Sequence, residues 1–144
     1  MPDVVDKVSL ETILRNIFKG GTVNGATMDR LPKNRRSAEA FLALAAASLD
    51  SQAELSEAEL NQQLMGWMEG FTNPTLFDHV TVRRYLVDLS MLLRDAEGRS
   101  YRTNQPVIGS YISMEARTVQ PMAILEEVRL TRMNRRQKAG AQNT

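Results

Sequence analysis

Apolar positions in this chain mostly recur at intervals of three and four, the period of one helical face. Leu10, Ile13, Leu14, Ile17 and Phe18 form such a stripe and predict a helix over Ser9–Phe18, with Ser9 placed to cap it and Gly20-Gly21 to stop it. Thr22 to Asp29 reads as a loop. Ala38, Phe41, Leu42, Ala45 and Leu49 line a second helix over Lys33–Leu49, whose alanines imply close packing against a neighbour. Ser56 followed by Glu59 is a capping box, flanked by Leu55 and Leu60 as a hydrophobic staple. It opens a third helix with Leu60, Leu64, Trp67 and Met68 on its buried side, ended by Gly70 to Pro74. A fourth helix is predicted from Leu76 or Asp78 to Leu92, with Val82, Tyr85, Leu86, Leu89 and Leu93 on one face.

The period then changes. Asp95-Ala96-Glu97-Gly98 is a short turn with glycine where a positive φ is wanted, between Leu92–Arg94 and Ser100–Arg102, and predicts a β-hairpin. Beyond Thr103, the β-favouring Val107, Ile108, Tyr111 and Ile112 predict a strand or an extended arm over Val107–Met114. Pro121 suits the first position of a last helix to about Asn134, with Ile124, Leu125 and Val128 as its apolar contacts. Disorder is expected from Arg135 onward. Three helices followed by a two-stranded hairpin is the order of parts in a winged helix. The expected fold is mainly α, a winged-helix-like core of three helices plus a β-hairpin, with extra N- and C-terminal helices. Its divisions fall at 1–30 (helix and loop), 31–103 (winged-helix-like domain), 104–134 (extension with a helix) and 135–144 (disordered basic tail).

Length and composition narrow the function classes. The chain has 144 residues, enough for one domain with extensions. It has no cysteine, which excludes disulfides, thiolate metal sites and cysteine nucleophiles. The apolar runs fall far short of the roughly 20 residues that span a bilayer, and Met1 to Asp6 lacks the basic and apolar regions of a secretory signal. A cytoplasmic protein with no membrane association is expected. His79 is the single histidine, and no triad, phosphate-cradling glycine motif or zinc-ligand spacing accompanies it. The expectation is a protein without catalytic residues, metal or cofactor: not an enzyme.

The net charge of +1 hides an uneven distribution. Between Asp50 and Glu69 stand five acids (Asp50, Glu54, Glu57, Glu59 and Glu69) and no base, whereas Arg129, Arg132, Arg135, Arg136 and Lys138 follow the last acid. Three basic groups suit contacts to the phosphates or bases of double-stranded DNA. These are Lys33, Arg35 and Arg36 in the first turn of the second helix, Thr81, Arg83 and Arg84 on the fourth, and Arg94, Arg99 and Arg102 on the hairpin. Each has a plainer reading: a solvated turn, an ion pair of one of Arg83 and Arg84 with Asp88 or the acidic third helix, and ordinary surface arginines. Val80, Val87 and Met91 form a second apolar set on the outer face of the fourth helix. Burying each is worth about 1.5–3 kcal/mol, so a terminal helix or a second subunit is expected to cover them.

At Leu31-Pro32, Arg35, Leu60-Asn61, Arg83-Arg84-Tyr85-Leu86-Val87-Asp88, Leu92-Leu93-Arg94 and Gly98-x-x-Tyr101, the chain resembles an uncharacterised bacterial family, domain of unknown function 2087. The resemblance covers Leu31 to Arg102. It implies a link to transcription regulation, because members often follow a helix-turn-helix of the arsenic-repressor type, and no activity is settled for the domain itself. The segment before Leu31 is too short for such a partner domain. Two functions are therefore expected: a non-enzymatic, homodimeric, DNA-binding regulator, or alternatively a protein–protein interaction module that does not touch DNA.

Overall fold

The first four helices each begin on a side chain that accepts the backbone N–H three residues ahead, which satisfies an amide no helical carbonyl can reach. The computed structural model of the chain describes residues 4–21 and 26–142. In α1 (Lys7–Lys19) the cap is Asp6, which accepts from Ser9 N at 2.8 Å. Ser9 is therefore a donor inside the first turn rather than the expected cap, because a carboxylate stands three residues before it. Asn34 caps α2 (Arg35–Ala47) through Ser37 N at 2.9 Å, and Asp78 caps α4 (His79–Asp88) through Thr81 N at 2.9 Å. The capping box of α3 (Glu57–Met68) is complete: Glu59 N donates to Ser56 Oγ and Ser56 N to Glu59 Oε1, both at 3.1 Å. Leu55 and Leu60 beside it are both buried.

A strand of two residues, β1 (Leu55–Ser56), precedes α3, and the hairpin is formed by β2 (Leu92–Arg94) and β3 (Ser100–Thr103). The three make one antiparallel sheet in the order β1-β3-β2. Leu55 and Arg94 both stand opposite Tyr101, and Leu93 stands opposite Arg102. The molecule is thus mainly helical with a small sheet, and β1 is an element the periodicity did not announce.

The core gathers around α2, which is buried at every position from Ala40 to Ala46. Its alanines let α1, α4 and α5 (Gln105–Tyr111) approach closely on different sides. At one end of the core, Phe41 meets Trp67 at 5.6 Å, Phe77 at 6.2 Å and Phe71 at 6.3 Å, and Phe18 of α1 reaches Phe71 at 6.1 Å. Met28 N donates to Phe71 O at 2.8 Å and Asn73 N to Met28 O at 2.9 Å, strapping the segment before α2 to the α3–α4 connection. Residues 22–25 of the expected Thr22–Asp29 loop lie outside the described residues.

Three expectations are corrected. The fourth helix stops at Asp88 rather than near Leu92. Ser90 adopts φ +60 and turns the chain, so that Met91 N closes on Leu86 O at 2.9 Å. The expected strand or arm over Val107–Met114 is instead α5, which has Pro106 in its first turn and Ile108 buried, followed by a 3-10 turn at Glu115–Thr118. Packing on α2 outweighs the β preference of Val107, Ile108 and Tyr111. Finally, the last helix, α6 (Pro121–Gln142), begins on Pro121 as expected but continues past Asn134 instead of giving way to disorder. It lies along α1, where Glu127 pairs with Arg15 at 2.5 Å and Arg132 Nη2 donates to Lys19 O at 2.9 Å, covering a carbonyl left open at the C-terminal end of α1. Among the described residues no helix is long and apolar enough to cross a membrane.

Candidate nucleic-acid interface

α4 buries Val82 and Leu86 against its neighbours α2, α3 and β2. In a helix, positions 81, 84, 85 and 88 share the opposite side. The structure leaves Arg84, Tyr85 and Asp88 exposed there, with Thr81 at the margin. Tyr85 is 44% exposed and was missed by the periodicity, which assigned it to the buried stripe. That stripe assumed a helix continuing to Leu92. With α4 ending at Asp88, Leu89 and Leu93 no longer extend the face, and burial centres on Val82 and Leu86 alone.

The two adjacent arginines diverge by about 100° around the helix and have different surroundings. Arg83 Nη1 donates to Asn61 Oδ1 at 2.7 Å and lies 3.1 Å from Glu57 Oε1, both on α3. It is the structural ion pair expected of one of them. Arg84 points outward. Thr81 is partly engaged, since its Oγ1 donates to Asp78 Oδ1 at 2.9 Å. These two bonds from Thr81, the backbone one foremost, hold the Asp78 carboxyl below the usual carboxylate range.

In the hairpin, alternation along the strands sends Arg94 and Arg102 to opposite faces. Arg102 is exposed beside Leu93, its cross-strand partner. Arg94 folds over the turn: a Cβ at residue 98 would stand 2.4 Å from Arg94 Nη2, and Gly98 itself adopts φ +72. The turn is fastened by Asp95, which accepts from Arg99 N at 2.6 Å and from Ser100 Oγ at 3.3 Å. The Arg99 amide is the main cause of the lowered pKa of Asp95. The Arg99 side chain lies at the tip, 3.4 Å from Glu97, with both largely exposed.

The third basic group has other neighbours. Lys33, Arg35 and Arg36 are exposed, but Arg35 donates to Glu39 Oε1 at 2.8 Å. Arg36 acts on the Asp6 carboxylate at the start of α1. Glu39 in turn faces Tyr111 of α5, whose hydroxyl pKa is raised by burial first and by that carboxylate next. This turn is exposed but lies beside α1 and α5, while Arg84 and the hairpin arginines belong to α4 and the sheet.

The expected apolar outer face is also corrected. Met91 is fully buried, since the turn at Ser90 takes it off the helix and into the core. Val80 and Val87 are half-buried, Val87 against the core. The chain itself thus covers Met91 and part of Val87, while Val80 remains half-exposed.

A family model described as an uncharacterised protein conserved in bacteria, domain of unknown function 2087, matches residues 27–103, just over half of the chain. The chain belongs to this family. The 2087 match begins beside the Met28 strap and ends with β3, so it takes in α2, the whole sheet, α3 and α4 and leaves out α1, α5 and α6. Both halves of the Arg83–Asn61 contact lie within it. Neither a comparison with curated proteins nor one with solved structures finds a match.

Proposed function

We propose that the chain is a winged-helix regulator that binds double-stranded DNA, with α4 as its recognition helix and the β2–β3 hairpin as its wing. The order α2, β1, α3, α4, β2, β3 and the sheet order β1-β3-β2 support the winged-helix reading. One observation carries the DNA reading. The outward side of α4 holds hydrogen-bonding side chains and is not packed under α1, α5 or α6, and the helix runs directly into a strand and turn that carry three arginines. Arg84 and Tyr85 suit base edges or the sugar-phosphate wall, and Arg94, Arg99 and Arg102 suit phosphates. The acidic start of α3 would repel phosphates, but Glu57 is occupied by Arg83. The protein acts by binding rather than by catalysis, and it works in the bacterial cytoplasm.

The test is a gel-shift series against genomic fragments at several salt concentrations. Binding that weakens steeply with salt supports the reading. Mobility unchanged at every salt concentration removes DNA as the partner.

A second reading, a protein–protein interaction module, is favoured by a different surface. Leu130 and Met133 on α6 are 54% and 50% exposed and lie one turn apart. Light scattering distinguishes a homodimer joined there from a monomer, and Met133→Glu should dissociate the former.

A further inference from the structure

A groove of about 530 Å³ opens where the end of α3 meets the start of α4, within the size range of small-molecule sites. Its wall is apolar and soft: Met65, Met68 and Phe77, with Gly66 between the methionines. Gly66 lies inside α3, where glycine is a poor helix former, and no atom stands within 4 Å of where its Cβ would be. A side chain at that position would meet open space, so the fold does not demand the glycine. The missing side chain keeps the groove open. The one buried polar side chain, Thr72, has its hydroxyl turned to Met68 O at 3.1 Å and offers the groove no free donor.

The charged groups at the groove are all of one sign. Glu69 and Asp78 line it together with His79, and among the described residues no lysine or arginine does. Asp78 stays ionised well into acid because Thr81 holds its carboxylate. An apolar wall with two acidic residues in its lining suits a ligand with an aromatic or alkyl body and a positive end.

We propose that this groove binds a small aromatic or alkyl ammonium ion, its body on Met68 and Phe77 and its cation at the Glu69–Asp78 side. The site goes beyond the DNA reading and does not depend on it. It bridges the two helices whose angle sets the direction in which α4 projects, so its occupancy would bear on whatever α4 contacts.

The experiment is a titration of the full chain with phenethylammonium, followed by amide chemical shifts, beside the same titration with 3-phenylpropanoate, which has a similar body and a negative end. Phenethylammonium should bind with a Kd of about 1–10 mM, as befits so small a ligand, and the shifts should concentrate in residues 65–79. The carboxylate should not bind. Glu69→Gln should weaken the cation about two- to fivefold. Gly66→Leu should abolish binding while leaving the melting temperature equal or higher. Met65→Lys places a cation at the rim on an already exposed position and should abolish it too. No binding of the cation, equal binding of the carboxylate, or binding undiminished in both Gly66→Leu and Met65→Lys would overturn the proposal.

Discussion

The guanidinium of Arg83 on α4 is held by the side-chain amide oxygen of Asn61 on α3, at 2.7 Å. The contact is largely shielded, with the Arg83 side chain only 18% exposed. A partly buried, charge-assisted bond of this kind contributes about 1.5–3 kcal/mol. Arg83→Ala should therefore lower stability by about 1–3 kcal/mol in denaturant unfolding. Arg84→Ala, one residue on, should change it by less than about 0.5 kcal/mol. For DNA affinity the order should reverse in origin: loss of Arg84 should weaken binding roughly tenfold without loss of stability. Equal stability losses in the two variants would refute this division of roles.

On the DNA reading, the β2–β3 hairpin should carry much of the salt dependence. Charge reversal at Arg94 and Arg99 together should weaken duplex binding and reduce the slope of log K against log salt by about 2. Gel shifts of the double variant at four salt concentrations provide the check, and an unchanged slope takes the hairpin out of the interface.

Met91 should act as a core residue and not as an interface residue. Met91→Ala is expected to cost about 2–4 kcal/mol, because it leaves a cavity at a site with no solvent exposure. The molecular mass in light scattering should not change at temperatures where the variant remains folded.

Gly98→Ala meets two obstacles: the left-handed φ of +72 and the Arg94 guanidinium lying over the residue. A loss of about 1 kcal/mol is expected for the backbone part alone. Combining Gly98→Ala with Arg94→Ala should recover only the part due to the side-chain clash. Thermal melts of the single and double variants separate the two parts.

Asp6, Glu59, Asp78 and Asp95 all have lowered carboxyl pKa values, each chiefly through a backbone N–H it accepts. A depressed folded-state value means the contribution is full above the ordinary carboxylate range, about pH 4, and is lost as pH falls through the lowered values. Melting temperature should be level from pH 7 to about pH 5 and fall below about pH 4. Asp78→Asn should flatten part of that fall. A profile that instead declines between pH 7 and pH 5 would point to other groups.

Local signals were legible where a few neighbouring residues settle the geometry. Ser56 and Glu59 complete their box within four positions, and the groups that close the hairpin turn lie between Asp95 and Ser100. Asn34 and Asp78 follow the same capping rule and could have been read the same way. What was hidden depended on distant partners. Val107, Ile108 and Tyr111 look like a strand until α2 supplies the surface that makes a helix the better way to bury Ile108. Tyr85 looks buried until Ser90 ends the helix, and the same turn sends Met91 inward. At the candidate interface, Arg84 and the hairpin arginines were visible from the sequence. The engagement of Arg83 depended on Asn61, twenty-two positions away.

The central helix, α2, is enclosed on one side by α4 and on others by α1, α5 and the Glu115–Thr118 turn, all three of which lie outside the family segment. A fragment cut at the family's borders would therefore leave a strip of alanines and leucines facing water. To be transplanted as a working module, the segment has to travel with both of its flanks.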